Sequence, residues 1–174
     1  MKIALFDFDG TLIDNTELMS FTEGETFDWV KFMEKSRECC TFKNIHEEMQ
    51  RLQRNGYVCI ICTARPEEFG EHTMADLIAR NLGEDIVVMR SKELCDAERA
   101  ELEGITDPIA IRAIIHRHHA LYRQHVIEDM EDKFGKGCVK YAFDDQERNL
   151  DTFITSGVIC FKVDSNGEYD QYPF

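Results

Sequence analysis

Ile3-Ala4-Leu5-Phe6-Asp7-Phe8-Asp9-Gly10-Thr11-Leu12 is an apolar run that ends in two aspartates, a glycine and a threonine. The apolar part predicts a buried strand, and two carboxylates two residues apart at its mouth repel each other and lose hydration. That arrangement persists only if a cation sits between them or one of them holds a proton. Asp9-Gly10 alone would read as a turn or a helix cap. Asp7 is not explained that way, so a charged site is expected where this strand ends.

Working outward, the chain alternates strands with helices. Phe42, Ile45, Met49 and Leu52 recur at helical spacing up to Asn55-Gly56, and strand Tyr57 to Cys62 follows. Glu67 to Leu82 is a second helical stretch closed by Gly83, and Ile86 to Met89 is a third strand. Arg90 to Thr106 is charged and irregular and reads as a loop. Asp107-Pro108 has the form of an N-cap with proline in the first turn, opening a helix along Ile111, Ile114, Ile115, His118 and Tyr122 toward Met130. After Gly135-Lys136-Gly137 come strand Val139 to Phe143, a short helix Asn149 to Ser156, and a fifth strand Val158 to Val163. This predicts one α/β domain: a Rossmann-like open parallel five-stranded sheet with helices on both faces. A small cap-like insert is expected at about residues 14–40, where Phe27, Trp29 and Phe32 either pack the insert or stack a base over the site.

The 174 residues, 43% of them hydrophobic, are enough for one well-formed core. A net charge of −14, with no visible Lys/Arg stripe, argues against a long nucleic-acid contact, since phosphate neutralisation supplies most of such affinity. A small phosphorylated ligand or one strand end remains compatible, given a divalent metal and a few local cations. The seven cysteines and the absence of a leader-like or membrane-spanning stretch predict a reduced, cytoplasmic protein without membrane contact. Cys59 and Cys62 fall on opposite faces of a strand, which disfavours a zinc knuckle or redox pair. Gly135-Lys136-Gly137 lacks the glycine, hydroxyl and preceding strand of a triphosphate-binding loop. His116, His118, His119 and His125 could supply metal ligands only with a partner from elsewhere, and His118 and His125 read as half-buried packing.

In an open parallel sheet, ligands sit beyond the carboxyl ends of the strands. Here those ends carry Asp7 and Asp9, Thr63-Ala64-Arg65, and Asp144-Asp145. Each cluster has an ordinary structural reading as a cap, a surface cation or a turn. Three such clusters at neighbouring strand ends make a site the better account.

The order and spacing of these clusters resemble the haloacid dehalogenase superfamily, in which an apolar strand leads into Asp-x-Asp-x-Thr-Leu. The resemblance narrows, through Thr63-Ala64-Arg65, Val88-Met89-Arg90 and Phe143-Asp144-Asp145, toward the phosphatase domain linked to bacteriophage polynucleotide kinase. It departs at Ala64 and Arg112, where glycine and lysine are expected, and in the extra length between His118 and Gly137. The resemblance implies a Mg²⁺-dependent phosphomonoesterase with Asp7 as nucleophile and Asp9 as general acid and base. Mg²⁺ would be held by Asp7, Asp9 through its main-chain carbonyl, and Asp144 or Asp145. Thr63, Arg65 and a third-motif cation, Arg112 in preference to Lys92, would hold the substrate phosphate. The implied substrate is a nucleotide or the 3′-phosphate end of a nucleic acid. The alternatives are another small phosphorylated metabolite, such as a phosphosugar, or a catalytically silent module that binds nucleotides or a protein.

Overall fold

The computed structural model describes residues 1–15, 17–18, 29–83 and 85–173. Strands β1 (Ile3–Phe6), β2 (Val58–Pro66), β3 (Ile86–Arg90), β4 (Val139–Asp144), β5 (Ile159–Val163) and β6 (Tyr169–Gln171) form one sheet in the order β3-β2-β1-β4-β5-β6. All neighbouring pairs are parallel except β5 and β6. The sixth strand, absent from the expected five, is three residues long and pairs at the edge. It is too short to show a two-residue period.

Helices α1 (Trp29–Ser36), α2 (Lys43–Arg54), α3 (Gly70–Ala79), α4 (Lys92–Leu102), α5 (Pro108–Phe134) and α6 (Glu147–Thr155) connect the strands. Side-chain alternation along β1 decides both faces. Ile3 and Leu5 join Tyr122, Val126, Ile127 and Met130 of α5 and Leu150 and Phe153 of α6. Ala4 and Phe6 turn the other way, onto Ile45, Met49 and Leu52 of α2 and Leu77 of α3. Cys62 and Cys59 split between these two layers as their odd separation requires. Phe6, Phe143 and Phe161 stack across β1, β4 and β5 with centroids 4.6 and 4.7 Å apart. Truncating the central ring, Phe143→Ala, is expected to cost about 3–5 kcal/mol in chemical denaturation; a loss below about 1 kcal/mol would contradict this packing role.

Helix α5 begins where its cap was expected, with the Asp107 carboxylate accepting the Ile109 N–H at 3.1 Å, and runs on to Phe134, past Met130. The segment expected as a loop after Arg90 instead holds α4, capped by Ser91. Its apolar face is thin, with only Cys95 buried, so periodicity gave little sign of it. Of the insert, α1 is described, and Phe32 is buried there. Trp29 packs edge-on against Phe32 and flat on Phe69, whereas Phe27 lies outside the described residues. No described helix is long and apolar enough to cross a membrane.

Chain order reverses between β1 and β4: β2 and β3 lie to one side of β1, and β4 and β5 to the other. The carboxyl ends of β1 and β4 therefore flank the crevice that such sheets use for ligands.

Candidate active site

Asp7 and Asp144 arrive together because β1 and β4 are paired in register up to Phe6 and Phe143, and the Asp7 N–H donates to the Phe143 carbonyl at 2.9 Å. Oxygen atoms of Asp7, Asp144 and Asp145 lie within 4.8 Å of one another. Asp144 is fully buried and accepts from the Asn149 amide at 3.0 and 3.1 Å and from the Gln146 N–H at 2.9 Å. Asp145 accepts from the Gln146 side chain. Gly10 makes room for it: a Cβ there would stand 2.8 Å from the Asp145 carboxylate, and φ is +82°. Any other residue at position 10 would be strained and would push Asp145 aside.

Burial first, and then the charge of Asp144, holds the Asp7 carboxyl well above the ordinary carboxylate range. Burial and the same neighbour push Asp145 up to about 7. The clustered carboxylate oxygens of Asp7, Asp144 and Asp145 are a hard-cation site by their chemistry, and they suit Mg²⁺ better than a soft metal.

The cation in contact with Asp7 is neither of those expected from the sequence. Lys92 opens α4, exposed and paired with Asp96. Arg112 is exposed in the first turns of α5. The contact is made by Arg123, three helical turns further on and 1% exposed, whose Nη2 donates to Asp7 Oδ1 at 2.8 Å and to Asp144 Oδ2 at 3.2 Å. Its Nε and Nη1 are buried without an acceptor. One guanidinium thus contacts two of the three acids while keeping donors unused.

Asp9 is held differently. Arg65 donates to it from Nη2 at 2.6 Å and from Nε at 2.9 Å, the Asn15 amide donates at 2.6 Å, and the Thr63 hydroxyl lies 3.5 Å away. Arg65 was expected on the substrate phosphate. It is instead fully buried behind Asp9, with Nη1 on Asp76 at 3.1 Å, Nη2 also on Ser36 at 2.9 Å, and its plane over Phe8. The fold therefore brings together Asp7, Asp9, Thr63, Asp144 and Asp145. It puts Arg65 behind them, adds Arg123, and leaves Lys92 outside. Of the histidines, His118 is buried against Glu101 at 3.0 Å, while His125 is exposed rather than half-buried.

The family model described as polynucleotide kinase 3 phosphatase matches residues 2–88, half of the chain. The chain belongs to that family. Its fold is similar to chains in two solved structures, the Pnkp1/Rnl/Hen1 RNA repair complex and a second Pnkp1/Rnl/Hen1 complex, at TM-scores of 0.55 and 0.56 and 16% identity. Both alignments cover 93% of this chain but 42% and 45% of the other, so it spans under half the length of those chains. No curated protein sequence matches.

Asp7 and Asp145 set a pH dependence. A carboxyl whose folded pKa is raised binds its proton more tightly folded than unfolded, so it lowers stability as pH rises from the ordinary range near 4 toward the folded value. For Asp145 that window ends at about 7. In chelator the melting temperature is expected to be higher at pH 5 than at pH 8, with Asp145→Asn lessening the difference. MgCl₂ is expected to raise it more at pH 8. A Mg²⁺ effect equal at both pH values would contradict the site.

Proposed function

We propose that this chain is a Mg²⁺-dependent phosphomonoesterase that removes the 3′-phosphate from a nucleic-acid end through a phosphoryl-aspartate on Asp7. The observation that carries the reading is the combination at the switch point: three clustered carboxylates and one buried arginine, Arg123, that contacts two of them through Nη2 and keeps Nε and Nη1 without an acceptor. Family membership supports the 3′-phosphate as substrate.

Mg²⁺ would be held by carboxylate oxygens of Asp7, Asp144 and Asp145 and by the main-chain carbonyl of Asp9, and it supplies positive charge that favours the ionised carboxylates and the phosphate dianion. Asp7 attacks phosphorus in line; the Asp7–phosphorus bond forms as the bond from phosphorus to the 3′-oxygen breaks. Asp9 gives its proton to the departing alkoxide, then takes one from the water that hydrolyses the phosphoryl-aspartate and regenerates Asp7. Arg65 and Asn15 orient Asp9 for both transfers, which makes Arg65 a positioning residue rather than a phosphate ligand. The free donors of Arg123 and the Thr63 hydroxyl take the charge that develops on the phosphoryl oxygens.

Removing the clamp on Asp9 separates positioning from folding. Arg65→Lys keeps the charge beside Asp76 but loses the two-point hold on Asp9. A fall in kcat of about 10²-fold or more is expected, with KM nearly unchanged; a variant with wild-type kcat would contradict the positioning role.

The substrate assignment is tested with initial rates of phosphate release at fixed Mg²⁺ from nucleoside 3′- and 5′-monophosphates, 3′-phosphorylated oligonucleotides, sugar phosphates and p-nitrophenyl phosphate. The 3′-phosphorylated compounds are expected to have the highest kcat/KM. A sugar phosphate in first place would favour the small-metabolite reading, to which the net charge of −14 lends weight.

A further inference from the structure

The sequence shows no run of basic residues, yet the fold assembles one. Arg112, His116, His119 and Arg123 follow one another along α5 at spacings of four, three and four residues, which puts them on a single helix face. The rise from Arg112 to Arg123 is about 16 Å. The inner end of this line is the guanidinium on Asp7, and the outer end is exposed. From the neighbouring first turn of α6, Arg148 reaches across to His116, with 2.9 Å between Arg148 Nη1 and His116 Nε2.

That contact fixes the chemistry of the pair. A guanidinium has only donors, so His116 Nε2 must be the acceptor and the imidazole neutral, with its proton on Nδ1. Burial, Arg148 and Arg112 hold the pKa of His116 below its ordinary value. Burial, with Arg90, Arg123 and Arg148 around it, holds that of His119 well below. With His116 Nε2 taken up by Arg148 and the charges of Arg90, Arg123 and Arg148 acting on His119, the pair is a poor cation site, and the metal-ligand reading of these histidines finds no support. They are neutral spacers and hydrogen-bonding partners among arginines.

Arg112 and Arg148 are exposed, Arg123 at the inner end contacts Asp7 and Asp144, and the nearby Arg90 is paired with Glu98 at 2.7 Å. Exposed guanidinium groups leading from the crevice to the rim suit an anion lying along that face. Resting on the phosphatase reading, we propose that this line of α5, completed by Arg148, binds the sugar–phosphate backbone of a single-stranded nucleic acid, with Arg148 taking the phosphodiester next to the terminal 3′-phosphate. His116 positions Arg148 by accepting one of its N–H groups, which leaves the remaining donors for phosphate oxygens. Only one or two internal phosphates fit along the exposed part of the face. The line therefore recognises an end rather than a long tract, in keeping with the acidic surface elsewhere.

The test compares a nucleoside 3′-monophosphate, which has no phosphodiester, with a 3′-phosphorylated dinucleotide and a ten-nucleotide strand. The wild-type protein is expected to prefer the dinucleotide in kcat/KM by about tenfold, with little further gain for the longer strand. In Arg148→Gln that preference is expected to fall by about tenfold, and in the wild-type protein it is expected to shrink as salt is raised. Arg148 is exposed, so the variant is expected to fold. A preference unmoved in Arg148→Gln, or equal losses on both substrates, would overturn the proposal. Should the wild-type protein release phosphate from none of these compounds, the phosphatase reading fails, while binding of a fluorescent 3′-phosphorylated oligonucleotide still reads the arginine line by anisotropy. Weaker binding by Arg148→Gln would then uphold the line, and equal binding would overturn it.

Discussion

Asp7→Asn is expected to lower phosphate release by more than about 10³-fold while leaving the protein folded and, in chelator, more heat-stable than the wild type. The two effects have one origin. Among the described residues, the Asp7 carboxylate is the acid at the end of β1 that contacts Arg123, so on the proposed mechanism no neighbour takes its place as nucleophile. Burial, and then the charges of Asp144 and Asp145 beside it, hold the pKa of the same carboxylate well above the usual range. An amide of equal size keeps an oxygen for Arg123 Nη2 and removes one charge from a group of three. On the proposed mechanism the gathered charge is held at the expense of stability, as is common where charged groups are gathered for chemistry. Calorimetry and a phosphate-release assay on one preparation check both halves. Residual turnover above about a tenth of wild type would refute the nucleophile assignment, and a lower melting temperature in chelator would refute the electrostatic account of the trio.

The second large effect belongs to Arg123. In Arg123→Met, Asp7 and Asp144 keep their burial and lose the guanidinium that contacts both. Removing one partner of a buried ion pair costs about 3–5 kcal/mol, because the remaining charge stays uncompensated. For a chain of this length the melting temperature is expected to fall by roughly 10 °C. Combining the change with Asp7→Asn is expected to cost clearly less than the sum of the two single effects, since one of the stranded charges has gone. Arg123→Lys is expected to recover part of the stability and little of the turnover, because an ammonium cannot bridge Asp7 and Asp144 and still offer fixed donors to a phosphate. Strict additivity in the double variant would show that Arg123 stabilises the fold through packing alone.

Much of the site was legible in the sequence because strand ends are short-range features. Asp7 and Asp9 follow an apolar run, Asp144 and Asp145 follow another, and Thr63 follows a third, so no knowledge of packing is needed to expect them on one sheet edge. The helix from Asp107 was legible for the same reason, since capping acts within one turn. Arg123 was not. It sits one residue beyond Tyr122 in a stretch of mixed polarity, and nothing local separates a buried arginine from an exposed one; the decision is made by β1 and β4, more than a hundred residues before it and about twenty after it. Its spacing of eleven from Arg112, which keeps both on one helix face, was the available signal. Arg65 invites the opposite error. It stands beside Thr63 at a strand end, where a phosphate ligand belongs, but Asp76 and Ser36 arrive from α3 and α1 to draw it inward. Helix α4 was hidden because little of it is buried, and β6 because pairing alone defines so short an edge strand.

The central claim is that the acids at the ends of β1 and β4 become a working phosphatase site when a divalent cation joins them. The most direct measurement is phosphate release by the wild-type protein from a 3′-phosphorylated single-stranded oligonucleotide, first in chelator and then with Mg²⁺ restored. The account predicts no release above background in chelator and turnover on addition of Mg²⁺. Release that persists at the same rate in chelator, or none after Mg²⁺ is added to folded protein, would contradict it.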